Sequence, residues 1–195
     1  MEKIAYRLIR CLLWCIIVAA FVWFFIRDLN PSGTLTVSYD LCRPSPYISE
    51  FSPLGRVLDI EKRDGYCVQK MVIDPIYVDV RLPQRYDTAT MTVVFQKSDE
   101  QPVSAGPWIS TAEWQWALQA LDEIATSSDG WQTAVAQFDI RERPLDHRRL
   151  RFMLSSPGLS ESGREVVLRE ARFTFEKPRF SWAIMKRWAA SFYDR

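Results

Sequence analysis

The chain has 195 residues and a formal net charge of +1, from 25 basic and 24 acidic side chains. So close a balance gives no field strong enough to gather nucleic acid or another polyanion. One histidine and four cysteines, with no Cys/His run at zinc-ligand spacing, exclude the familiar structural zinc sites.

The first ten residues carry Lys3, Arg7 and Arg10 against Glu2. Then "CLLWCIIVAAFVWFFI", residues 11–26, runs for 16 residues without a charge. As a helix it would cover ~24 Å at ~1.5 Å per residue, against ~30 Å of bilayer core. Leu8, Ile9 and Leu29 extend it, Arg10 and Arg27 can snorkel, and Trp14 and Trp23 suit the interfaces. The run reads as a retained single-pass anchor over residues 11–29. The competing readings are a secretory signal cut after Val18-Ala19-Ala20 and a buried soluble helix. Six further apolar residues follow that cleavage site, which favours the anchor. Positive charge before the run sets residues 1–10 in the cytoplasm and the rest on the outer side of the cytoplasmic membrane. Cys11 and Cys15 are then packing residues of the anchor.

Residues 30–33, Asn-Pro-Ser-Gly, form a hinge. From residue 34 to 177 the pattern is that of short strands. "TLTVSYDL", "RVLDIEK", "YCVQKMVI", "IYVDVRL" and "ATMTVVFQ" come first. "WQTAVAQFDI", "RLRFMLSS" and "REVVLREARFTFEK" follow, punctuated by Pro, Gly, Asp and Ser. No β–helix alternation is present, so an antiparallel β-sandwich is expected. Cys42 and Cys67 are the only cysteines outside the anchor. In an oxidising compartment they are a candidate disulfide, with two separate buried thiols as the alternative.

"STAEWQWALQALDEIA", residues 110–125, is ambiguous. Ser110 and Glu113 have capping-box spacing, and Trp114, Leu118, Leu121 and Ala125 would form a helical stripe. Trp114, Trp116 and Leu118 also alternate as in a strand. The balance favours a strand to about Leu121 and a loop from there to Gly130. Trp108, Trp114, Trp116 and Trp131 are either core residues or platforms for sugar rings. Trp108 and Trp116 are the candidate ligand-binding pair, and Trp131 reads as core.

"DGWQTAVAQFDI", "RLRFMLSSPG" and "EVVLREARFTFEK" together resemble the last third of a jelly-roll carbohydrate-binding-type domain. The resemblance implies a jelly-roll-like sandwich and a glycan as ligand. It carries no ligand residue onto this chain.

"RERPLDHRRLR" holds His147 among Arg141, Arg143, Arg148, Arg149 and Arg151. His147 reads as a turn residue rather than a catalytic base. The arginines read as outward side chains of two strands, with an anion or headgroup site as the alternative. No Gly-x-Ser-x-Gly, phosphate loop or His-Glu-x-x-His occurs. Neither catalytic nor metal residues are assigned, and no cofactor is expected.

After Pro178, Phe180, Ile184, Trp188 and Phe192 recur every four residues beside Arg179, Lys186, Arg187 and Arg195. Residues 178–195 therefore read as an amphipathic helix. It could lie on the membrane, dock on a membrane-protein partner, or pack on its own sandwich. The whole reads as a non-catalytic envelope protein that binds glycan or scaffolds a membrane complex. The alternative is a carbohydrate-active enzyme with paired carboxylates.

Overall fold

A computed structural model describes residues 2–29, 33–98, 101–110, 115–159 and 164–177. In the first stretch it describes side chains at Arg7 and at residues 10–23. The chain divides into two units, and the β-rich one spans Thr34–Pro178. The other contains the helix α1, Glu2–Leu29. The apolar side chains of α1 from Cys11 to Trp23 are exposed. Among the described residues no helix is long and apolar enough to cross a membrane.

Strands form in the second unit where apolar and polar residues alternate, so that one face can be buried. They are β1 (Thr34–Tyr39), β2 (Glu61–Arg63), β3 (Tyr66–Met71), β4 (Ile76–Arg81), β5 (Thr88–Lys97) and β6 (Ser104–Ser110). Then come β7 (Gln115–Trp116), β8 (Gln119–Ala120), β9 (Asp122–Thr126), β10 (Gln132–Asp139), β11 (Arg149–Ser155) and β12 (Val166–Glu176). All pairings are antiparallel.

A seven-stranded sheet runs β2-β3-β12-β5-β10-β9, and β1 also pairs with β12. β5 lines one side of β12 along its length. On the other side β3 pairs with residues 166–168 and β1 with residues 171–176, one after the other. The Cys42–Cys67 disulfide ties these two successive neighbours together, with Cα atoms 5.2 Å apart. The five-stranded sheet runs β4-β11-β6-β7, with β8 also on β6. Residues 47–52 cover the outer edge of β4, where Ser49 N–H donates to Asp79 O and Tyr77 N–H to Ser52 O. An edge so covered is closed to other chains.

The inward faces meet in one core. Met91, Phe173 and Phe175 from the large sheet are fully buried, as are Ile76, Val78 and Phe152 from the small one. Phe152 anchors the middle, with its ring 4.8 Å from that of Phe173.

Two expectations are corrected. "RVLDIEK" is not a strand through its length. Val57 makes only an isolated bridge to Met71, and regular pairing begins at Glu61. Residues 122–126 are a strand rather than a loop, because β10 offers them an edge. Trp131 is a buried core residue, as expected, in a second, smaller cluster. It packs with Val68 and Val167 on the outer face of the large sheet. No part of 115–126 is helical. The chain passes from β8 on the small sheet to β9 on the large one through Leu121, which packs on the core.

Candidate functional site

The outer face of the five-stranded sheet follows from alternation. In β4, Ile76, Val78 and Val80 point inward, which leaves Tyr77, Asp79 and Arg81 outward. In β11, Leu150, Phe152 and Leu154 are inward, and Arg149, Arg151 and Met153 outward. The register sets these in rows across the sheet: Arg81 with Arg149, Asp79 with Arg151, Tyr77 with Met153. Met153 is in turn opposite Gly106 of β6, and Trp108 is opposite Trp116 of β7.

Gly106 decides the shape of this face. A Cβ there would lie 2.1 Å from the carbonyl oxygen of Ala117. Without one, the segment after Trp116 settles directly onto β6, and Ala117 N–H donates to Pro107 O. The Trp116 ring then lies 5.3 Å from Tyr77 at 23° and 6.3 Å from Trp108 at 24°. Three near-parallel rings cross the sheet, each half-buried. The Arg56 guanidinium stands 5.9 Å from the Tyr77 ring centre and is held by a 2.7 Å bond to Pro75 O.

Beside the rings lies an open groove of about 530 Å³ lined by Asp79, Arg81, Asp146, His147, Arg149 and Arg151. Arg151 clamps Asp79 through two bonds of 2.7 and 2.8 Å. That bond raises the Arg151 pKa above the ordinary guanidinium value, with burial opposing it. His147 Nδ1 lies 2.6 Å from Asp146 Oδ1. Arg81 and Arg149 face each other across the strands, and among the described residues neither makes an ion pair. Three guanidiniums against two carboxylates leave the groove at +1 with His147 neutral and +2 with it protonated.

The turn that carries His147 is strained. His147 and Arg148 both have positive φ, 49° and 64°. They are the central pair between Asp146 and Arg149, whose N–H groups and carbonyls bond reciprocally. Such hairpin turns favour Asn-Gly at these positions.

The run of arginines read as one feature is divided by the fold. Arg149 and Arg151 are in this groove, whereas Arg141 and Arg143 line another of about 410 Å³ with Asp139 and Glu142. There the Arg141 hydrogen bonds hold the Asp139 carboxyl down to about 2. On the large sheet Tyr66 and Trp131 both face Arg169, whose guanidinium lies 3.3 Å from the Tyr66 centroid and 5.5 Å from that of Trp131, so the accessible Tyr66 ring is already occupied.

Of the residues singled out in the sequence, Trp108 and Trp116 come together, and Cys42 and Cys67 are bonded. Trp114, Phe180, Ile184, Trp188 and Phe192 lie outside the described residues. Tyr77, Arg81 and Gly106 were not singled out. Alternation in "IYVDVRL" already places Tyr77, Asp79 and Arg81 on one face. Among the described residues no cluster of three His, Cys, Asp or Glu is placed to hold a metal ion.

No protein-family model matches the chain, and no curated protein matches it in sequence. Solved structures similar to it in fold include carbohydrate-binding modules, a GH115 4-O-methyl-alpha-glucuronidase and a Stig cyclase. One is the CBM22-1 xylan-binding domain of a Paenibacillus barcinonensis protein, at 9% identity and TM-score 0.46, covering 73% of this chain and 94% of that one. The xylan-binding module CBM15 is similar at 12% identity and TM-score 0.41, over 74% of this chain and 99% of its own. A family 29 carbohydrate binding module from Piromyces equi is similar at 10% identity and TM-score 0.38, over 74% and 92%. At these values the likeness brings neither ligand nor site residues to this chain.

Proposed function

We propose that this chain is a non-catalytic, membrane-tethered glycan-binding protein whose ligand lies across the outer face of the five-stranded sheet. The observation that carries the reading is the row of near-parallel rings, Tyr77, Trp116 and Trp108, opening directly onto a polar groove. Aromatic rings present apolar surface to the faces of sugar rings, and neighbouring polar groups meet the hydroxyls.

The enzyme alternative is weaker at this site. A glycosidase needs one carboxyl kept protonated beside another that is ionised. Asp79 is clamped bidentately by Arg151 and Asp146 is bonded to His147, so neither stands free to act on a substrate.

The tether in this reading is the uncharged run of residues 11–26, whose side chains are described only as far as Trp23, kept as a single-pass anchor with the domain outside the cytoplasmic membrane. Lys3, Arg7 and Arg10 before the run support that orientation. Intact mass of membrane-extracted protein tests the tether: a species starting at Phe21 overturns it.

Binding is tested with the full chain in mild detergent, by affinity electrophoresis through gels containing soluble polysaccharides. Retardation that Trp116→Ala abolishes at an unchanged melting temperature supports the reading. No retardation in any gel, or full retardation of the variant, overturns it.

A further inference from the structure

The groove beside the rings carries a feature that a neutral sugar does not require. Arg81 and Arg149 are directly opposite on paired strands, both exposed, and neither has an ion-pair partner among the described residues. Like charges placed directly opposite in a sheet are destabilising. The neighbouring row is different, since Arg151 is satisfied by Asp79. An unneutralised cationic pair therefore stands next to a neutralised one. The His147–Arg148 turn, at φ of 49° and 64°, adds a second unfavourable feature to the same groove. Strain that persists in this way gathers at ligand sites.

We infer that the site selects an anionic glycan: a chain of sugars whose rings lie on Tyr77, Trp116 and Trp108 and whose acidic group enters between Arg81 and Arg149. This rests on the glycan-binding reading and adds the class of ligand to it. Guanidinium groups present forked donors that match the oxygens of a carboxylate or a sulfate ester. The groove is +1 to +2 in a protein that is nearly neutral overall, so the attraction is local. Asp79 and Asp146 also line it, but Asp79 is held by Arg151 and Asp146 by His147, which leaves the Arg81–Arg149 end the most positive. Tyr77 and Arg81 are four residues apart on β4, ~13 Å at ~3.3 Å per residue. A single monosaccharide does not span that distance and an oligosaccharide does.

The test uses the full chain in mild detergent at low ionic strength and paired probes that differ only in charge. Polygalacturonate, alginate and hyaluronate are each set against their carboxyl-reduced forms, and dextran sulfate against dextran. The expected result is a preference of about tenfold or more for the charged member of at least one pair, the size of a charge-assisted contact. The pair that responds tells carboxylate from sulfate ester. In the double variant Arg81→Gln, Arg149→Gln that preference collapses, whereas in Arg141→Gln, Arg143→Gln, which removes equal charge from the other groove, it survives. Melting curves confirm that both variants are folded. Equal affinity for charged and neutral members, or equal loss in both variants, overturns the inference and leaves the glycan-binding reading standing. Failure of every probe to bind overturns both.

Discussion

Gly106 lies beneath the carbonyl of Ala117, so near that a single added carbon would stand 2.1 Å from the oxygen. Gly106→Ala forces backbone against backbone, and overpacking of this kind costs roughly 1–3 kcal/mol. The segment after Trp116 must lift away from β6, which separates the Trp116 ring from Tyr77. A lowered melting temperature together with a changed near-ultraviolet circular dichroism signal is expected. An unchanged aromatic signal would mean that the close approach does not set the ring stack.

The turn at His147 and Arg148 gives the opposite sign. A non-glycine residue in the left-handed region costs roughly 1–2 kcal/mol. The double change His147→Asn, Arg148→Gly supplies the pair that this turn prefers and should raise stability by ~1–2 kcal/mol, read from urea denaturation. Stability equal to or below the parent would show that the turn is not strained.

Cys42 and Cys67 are 25 residues apart in sequence. Closing a loop of that length in the unfolded chain is worth ~3.5 kcal/mol on chain-entropy grounds. The Cys42→Ser, Cys67→Ser variant should lose about that much, and mapping without reductant should find the two peptides linked. Peptides recovered separately, each with a free thiol, would refute the bond.

Tyr39 offers a pH test. Burial, then the charges of Glu50 and Asp40, push its phenol up to about 12. Unfolded, it ionises near ~10. Between those values the unfolded chain has released a proton that the folded chain still holds, so stability falls as pH rises. The contribution is complete below ~10 and gone above about 12, up to ~3 kcal/mol in all. Tyr39→Phe should remove this slope. Chemical denaturation of both proteins from pH 9 to 12 checks it, and parallel losses would rule the assignment out.

Strands rich in apolar β-forming residues were legible in the sequence: residues 76–82, 131–140, 149–156 and 164–177 contain β4, β10, β11 and β12, and 89–96 covers β5 except its two end residues. β6 was not, because Gly106 and Pro107 sit inside it and both normally argue against a strand. Pro107 is accommodated where β7 gives way to β8 along that edge, and its carbonyl still accepts from Ala117. β9 was hidden for another reason. All five of its residues are exposed, so no buried face marks it. At the site, Trp116 stood out as a candidate ligand-binding tryptophan, but its approach to Tyr77 did not. That contact joins residues 39 positions apart through the absence of one side chain, which no local pattern encodes.

The placement of β12 sets an order of events in synthesis. It is the last of the described strands to be made, yet it lies inside the seven-stranded sheet, with β5 on one side and β1 and β3 on the other. Until residue 176 has emerged, β1 lacks its strand partner among the described residues and β5 presents an open edge to other chains. Early fragments therefore cannot close the sandwich, and its pairing is dominated by contacts between distant parts of the chain, which form slowly. A nascent domain built in this way stays threadable until it is nearly complete, and a chain stalled before β12 is a substrate for chaperones or proteases rather than a partly closed sandwich.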